Sequence, residues 1–286
     1  MADHSRLLSY EKKDSPIHRL SGFTKLVFFL SWSVTSMLTY DTIVLIIMIV
    51  LSTVMYAVSR TKWSQVATVF KFILLFLSIN ILAIFFFSPY QGCDIYGQKT
   101  VICHLFGSYY LTVEQLFYEF NIILKYFTFV PAVFIFLVTT DPSELAASLN
   151  RIGVSYNICY SLALALRYIP DVQDNFRNIK NSGQARGIEM SKKASLINRI
   201  KETTGIIFPL VFSSMDRIET ISNAMELRGF GKHKKRTWYS ERKLLKEDIL
   251  MICASLLFCV CAIIYTYHDG SRFYNDVFAP YFMAPR

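Results

Sequence analysis

Residues Val66–Ser88 read VATVFKFILLFLSINILAIFFFS, 23 consecutive positions that carry one charge, Lys71. About 20 apolar residues in helical form span the hydrocarbon core of a bilayer. No soluble strand or core helix needs a run this long. Four further stretches have the same character: Phe23–Tyr40, Thr42–Val58, Leu116–Thr139 and Ile249–Tyr267. The composition of the whole chain agrees. Hydrophobic residues make up 53% of the 286 positions and charged residues only 18%, below the quarter usual in soluble domains. A soluble monomer this apolar would expose large greasy patches. The expected fold is therefore all-α: a polytopic membrane protein with about five transmembrane helices. The first span is not a signal peptide, because it is long, lacks a small-residue cleavage pattern and is followed at once by a second.

Charge divides the chain into three parts. Residues 1–140 hold four spans and an amino-terminal segment, residues 141–246 a basic block, and residues 247–286 the last span and a tail. The block carries 18 Lys and Arg against 10 Asp and Glu, which is +8 of the total +9. Basic segments favour the cytoplasmic side. With the amino terminus inside (Arg6, Lys12, Lys13, Arg19), Asp41 makes an outer turn and Arg60 and Lys62 an inner one. The loop Pro89–Glu114 then lies outside and the basic block inside. Nucleic acid is not the expected partner of these cations, since the aromatics sit in the apolar runs and not among the Lys and Arg. Lys25, at the inner edge of the first span, needs no special account. Lys71 and Lys125 lie deeper, where an ionisable residue is a functional candidate by default; snorkelling to the headgroups is the favoured reading for both. Pro131 falls within the fourth span.

The cysteines and histidines carry no metal spacing. Cys253, Cys259 and Cys261 lie in the last span as small apolar fillers, and Cys159 is isolated. Cys93 and Cys103 share the outer loop and could form a disulfide. His4, His18, His104, His233 and His268 are scattered.

Within the basic block, Ile158–Ile169 is an apolar helix containing Arg167 and expected to stop before Pro170. Ile206–Phe212 is a shorter one carrying Pro209. Val211, Met215, Ile218, Ser222 and Met225 then recur at helical spacing, which gives an amphipathic helix for a membrane surface or a partner. A short repeat is present: Gln184-Ala185-Arg186-Gly187-Ile188 returns as Glu226-Leu227-Arg228-Gly229-Phe230. Gly just after a helix end accepts the left-handed backbone of a C-cap, and Arg in the last turn complements the helix dipole. Two readings stay open from spacing alone. The motifs are ordinary helix ends, or each presents a guanidinium for bidentate pairing with a partner's carboxylate.

The stretch Pro209–Thr220 running into Ala224–Phe230 resembles the transmembrane (T) component of energy-coupling factor transporters, the family that includes cobalt-type permease components. Thr139-Thr140-Asp141-Pro142 is similar to the family's Thr-Thr-x-Pro element. Leu164-Ala165-Leu166-Arg167-Tyr168-Ile169-Pro170 matches its apolar run closed by Arg and Pro, and Ala185-Arg186-Gly187 matches the first of its paired motifs. The second motif departs in having Leu227 in place of Ala.

The resemblance implies an L-shaped helical scaffold in a bacterial-type cell membrane. It joins two ATP-binding-cassette ATPases to a membrane substrate-binding (S) component for uptake of a vitamin or other micronutrient. Arg186 and Arg228 would dock in the ATPases, with Ala185, Gly187, Leu227 and Gly229 shaping the tips. Arg167, Pro170, Pro209 and Glu226 would couple their movement. The chain itself has no G-x-x-x-x-G-K-[ST] phosphate loop; no cofactor is expected on it, and ATP and magnesium belong to the partners. An alternative is a membrane-embedded, metal-dependent lipid-modifying enzyme, for which Asp171, Asp174, Glu144 and His233 would have to converge. A secondary transporter is disfavoured by the lack of a repeat between membrane halves.

Overall fold

The computed structural model describes residues 15–61, 63–106, 109–186, 196–232, 237–238, 242, 244–268 and 273. Arg6, Lys12, Lys13, Lys62, Gly187 and His233, all named above, lie outside them. The chain divides into two compact units, residues 1–141 with 242–286 and residues 142–241.

The first unit begins with a short α1 (Pro16–Arg19), then α2 (Gly22–Leu38), α3 (Thr42–Val58) and α4 (Trp63–Phe87). Their starts follow from capping residues. Ser21 accepts the Thr24 N–H at the head of α2, and Asp41 accepts the Val44 N–H at the head of α3, which satisfies donors left over at a first turn. α5 (Gln91–Tyr96) and an antiparallel hairpin, β1 (Val101–Phe106) with β2 (Tyr109–Thr112), precede α6 (Val113–Thr139). The hairpin is a small β element in an otherwise helical molecule. It is tied to the end of α4 by the Tyr109 hydroxyl, which donates to the Phe86 carbonyl at 3.2 Å.

α6 is the centre of this unit and packs against α2, α3, α4 and α5. One core cluster joins Phe28 and Trp32 of α2, Val44 and Met48 of α3 and Ala132 of α6; a second joins Val66 of α4 to Val130, Phe134 and Val138 of α6. The last helix of the chain, α10 (Lys246–Tyr267), lies on α2 and adds Ala262 to the first cluster. Hydroxyls join the helices where apolar packing alone gives no register. Thr42 donates to Asn121 and Thr266 to Thr39, both at 2.8 Å. Pro131 is inside α6.

Three of these helices are long and apolar enough to cross a membrane: Val66–Phe87, Val113–Thr139 and Lys246–Tyr267. α2 and α3, at 17 residues each, stand at the short end of the spanning range. Their outward faces are apolar and exposed, with Phe72, Phe76, Leu82 and Phe86 on α4 and Leu257, Val260 and Ile264 on α10. Lipid is the solvent that suits such a surface. The chain is an all-α polytopic membrane protein.

One open possibility is decided and two expectations are corrected. Cys93 and Cys103 are both free: Cys93 is buried in α5 and its thiol contacts the Thr112 hydroxyl at 3.3 Å, whereas Cys103 is exposed on β1. Lys25 is not a bystander at the edge of α2. It is only 3% exposed, and its Nζ donates to the Thr139 carbonyl at 2.7 Å. The second correction concerns the prolines of the second unit.

The second unit contains α7 (Pro142–Ile152), α8 (Tyr156–Ala185) and α9 (Leu196–Leu227). Pro142 opens α7, where its missing N–H costs nothing. α8 does not stop before Pro170, and Ile206–Phe212 is not a separate element; both prolines are inside long helices. A helix of 30 or 32 residues keeps its remaining ladder on both sides of the one bond that a proline removes.

Candidate docking site

The second unit presents two helix ends built from the repeated motif. α9 ends in a closed cap. The Gly229 N–H donates to the Glu226 carbonyl at 2.8 Å and the Phe230 N–H to the Met225 carbonyl at 3.0 Å. Gly229 has φ of +69°, the left-handed conformation that this pair of bonds requires and that glycine adopts without a Cβ penalty. α7 ends in the same way, with Gly153 at φ +115° and its N–H on the Asn150 carbonyl.

This cap fixes what the tip of α9 displays. Leu227 is 91% exposed, and Glu226 and Arg228 on either side of it are exposed as well. A leucine held outside any core is costly in water, and a neighbouring guanidinium gives the same surface a directional polar group. At the end of α8, Ala185 and Arg186 are exposed, and the Arg186 N–H closes the last turn on the Ser182 and Gly183 carbonyls. Gly187, the third member of that motif, lies outside the described residues.

α8 and α9 pack on each other within this unit. Between them is a cavity of about 440 Å³ lined by Tyr160, Arg167, Asp171, Met225, Arg228 and Phe230, among others. Two of the expected site residues, Arg167 and Arg228, are therefore brought to one cavity; Arg186 does not line it. Pro170 and Pro209 sit in the helix interiors away from both tips.

The sequence reading missed the residues that hold the α9 tip in place. Phe230 packs against Tyr160 and Tyr156, at 4.9 and 6.0 Å between ring centres, and Trp238 closes on Tyr156 at 5.2 Å. Trp238 Nε1 in turn donates to Asn150 Oδ1 at 3.1 Å. The spacing of Tyr156 and Tyr160, four apart on one helix face, was the available signal. Arg217 of α9 pairs with Asp171 of α8 at 3.4 Å and lies 5.8 Å from the centre of the Tyr168 ring. Both ion-pair partners are largely exposed, so this link is weak and salt-sensitive. Cys159 is fully buried against the Val154 carbonyl, and burial pushes its thiol above the usual range. It is a packing residue.

The carboxylates that a lipid-modifying enzyme would need do not converge. Asp171 pairs with Arg217 and Asp174 with Arg177, while Glu144 is buried on α7. His233 lies outside the described residues. Among the described residues, no cluster of three His, Cys, Asp or Glu could hold a metal ion.

Comparison with known proteins adds a family to this geometry. The family of cobalt transport proteins, CbiQ, matches residues 13–239. The chain is 26% identical to the energy-coupling factor transporter transmembrane protein EcfT of Lactococcus lactis, over 90% of this chain and 96% of that protein. It is 25% identical to the EcfT of Bacillus selenitireducens, over 94% of this chain and all of the relative. A putative ABC transporter ATP-binding protein of Bifidobacterium longum is 30% identical over 46% of this chain, which corresponds to 17% of that longer protein.

Proposed function

The chain belongs to the CbiQ family of cobalt transport proteins and is a non-catalytic transmembrane component of an energy-coupling factor transporter, and we propose that its two Arg-containing helix ends dock one each in a pair of ATP-binding-cassette ATPases. The observation that carries this reading is the α9 tip, where Leu227 and Arg228 stand exposed on a backbone closed by Gly229. An apolar side chain beside a fork of donors suits a groove with a greasy floor and a carboxylate. Ala185 and Arg186 are the matching elements on α8, with Gly187 beyond them.

In this reading residues 141–246 and the amino terminus face the cytoplasm, in keeping with their charge. ATP and magnesium are held by the ATPases, and the chain carries no cofactor of its own. Closure of the ATPases moves α8 and α9. Arg167, Pro170, Pro209 and Glu226 are the positions through which that movement passes to a membrane S component, which carries a vitamin or other micronutrient inward. The identity of the substrate belongs to the S component. The similarity to a putative ABC transporter ATP-binding protein supports the choice of partner class.

The test is co-expression with ABC ATPase subunits followed by affinity purification of this chain. Wild type is expected to retain the ATPases. Arg186→Glu and Arg228→Glu should each weaken retention, and the double variant should abolish it. Loss of one docked pair costs about 2–5 kcal/mol of association, because the partner's carboxylate is left unpaired. Undiminished retention by the double variant would reduce both tips to ordinary helix ends.

A further inference from the structure

The cavity between α8 and α9, about 440 Å³, adjoins the α9 tip. Two of its wall residues, Arg228 and Phe230, flank the Gly229 cap, and a third, Met225, accepts one of the cap's hydrogen bonds through its carbonyl. The cap thus holds the tip and one rim of the cavity as a single piece of backbone. A partner that covers Leu227 and Arg228 covers that rim as well.

The wall has an apolar part and a charged part. Leu164, Ile221 and Met225 are half-buried, and Tyr160 and Phe230 close on each other at 4.9 Å between ring centres. The charged residues on the wall are Arg167, Asp171 and Arg228. Asp171 is held by Arg217 at 3.4 Å. Arg167 lies one turn before Asp171 on α8 and is exposed, and its guanidinium makes no ion pair or hydrogen bond among the described residues. An arginine on a plain, solvated helix face needs no partner. Beside an apolar wall the case differs: a ligand that covers the wall also strips water from the guanidinium, which is costly unless the ligand brings an acceptor.

Resting on the docking reading above, we propose that this cavity receives an acidic side chain of the same ATPase that takes the α9 tip, its carboxylate paired with Arg167 and its stem against Leu164, Ile221 and Met225. A carboxylate matches the planar fork of donors bidentately. A free phosphate fits less well, because its higher negative charge would meet Asp171 beside Arg167. The cavity draws on residues 160–171 of α8, far from the end of that helix at Ala185. One ATPase would therefore hold α9 by its end and α8 by its flank, and its movement would act on both helices together.

Photo-crosslinking of the full chain, co-expressed with ABC ATPase subunits, tests the site. Benzoylphenylalanine is placed singly at Ala224 on the cavity wall and at Leu227 on the tip, both exposed in the wild type. Both positions are expected to label the same ATPase polypeptide, and the Ala224 product should map by peptide mass to a segment containing Asp or Glu. Arg167→Ala should weaken ATPase binding at least tenfold: a charge pair closed off from water is worth about 30-fold or more, whereas one on a wet rim is worth about fivefold or less. Arg167→Glu should be rescued when the mapped acid is changed to Arg. Labelling from Leu227 but not from Ala224, a loss below tenfold in Arg167→Ala, or a failed rescue overturns this proposal and leaves tip docking in place. Labelling from neither position overturns both.

Discussion

Lys25 Nζ, near the start of α2, donates a 2.7 Å hydrogen bond to the backbone carbonyl of Thr139, the last residue of α6. The negative end of a 27-residue helix is thus met by a buried cation, a favourable pairing with the helix dipole. Thr139 also turns its own hydroxyl back to the Ile135 carbonyl at 2.7 Å. Lys25→Met keeps much of the side-chain bulk and removes the charge. It should lower stability by about 1.5–3 kcal/mol, the range for hydrogen bonds to charged groups. Thermal unfolding in detergent is the measurement; an unchanged midpoint would show that the bond contributes nothing net.

The α10 start is fastened to the α2 start by one carboxylate. Asp248 Oδ1 accepts from the Ser21 N–H and the Thr24 hydroxyl, both at 2.8 Å, and Oδ2 accepts from the Leu245 N–H at 2.9 Å. Asp248→Asn puts an amide donor against at least one of these donors. A loss of about 1–3 kcal/mol is expected. Faster hydrogen exchange at the amides of residues 21–25 should accompany it.

Gly92 is in contact with the head of α6. A Cβ there would overlap the Glu114 backbone and stand 2.7 Å from Gln115 Cα, while the Gly92 N–H donates to Gln115 Oε1 at 2.9 Å. Gly92→Ala should therefore push α5 off α6. Cys93, buried in wild type, then becomes open to maleimide, which peptide mass mapping detects. A thiol as slow to label as in wild type would mean that the backbone yields without separating the two helices.

Gly229 has open space around its missing Cβ and a φ of +69°, so substitution there acts through the backbone alone. Gly229→Val should cost about 1–2 kcal/mol of strain in the cap, and Gly229→Asn less, because Asn tolerates this conformation. Retention of the ATPases in the co-purification assay should fall in the same order. Equal retention by both variants would separate the cap from docking.

How far these features could be read in advance depends on the range of the interaction that makes them. The five apolar runs and the helix end at Gly229 are local patterns, and the helices lie within a few residues of the expected bounds. The hairpin has a local signal too: β-branched and aromatic residues at Val101, Ile102, Tyr109 and Tyr110 flank a Gly-Ser pair, a short pattern set between two much longer apolar runs. Pro170 and Pro209 misled in the opposite direction, since a proline marks a local defect and not the end of every helix that contains it. Lys25 and Thr139 are 114 positions apart, and Arg167 and Arg228 share a cavity across two helices. Neither pairing leaves a trace in a single sequence. Each depends on how helices pack.

The closed end of α9 has a consequence for recognition. The carbonyls of Ala224, Met225 and Glu226 are all taken by N–H groups of the chain itself, those of Arg228, Phe230 and Gly229. Main-chain pairing, which is indifferent to side-chain identity, is thus largely used up within the chain at these positions. If the tip docks as proposed, its discrimination between one ATPase and another rests chiefly on side chains, and Leu227 stands where the first motif has Ala185. A cell holding several such transporters could keep their parts from being exchanged by varying that single letter.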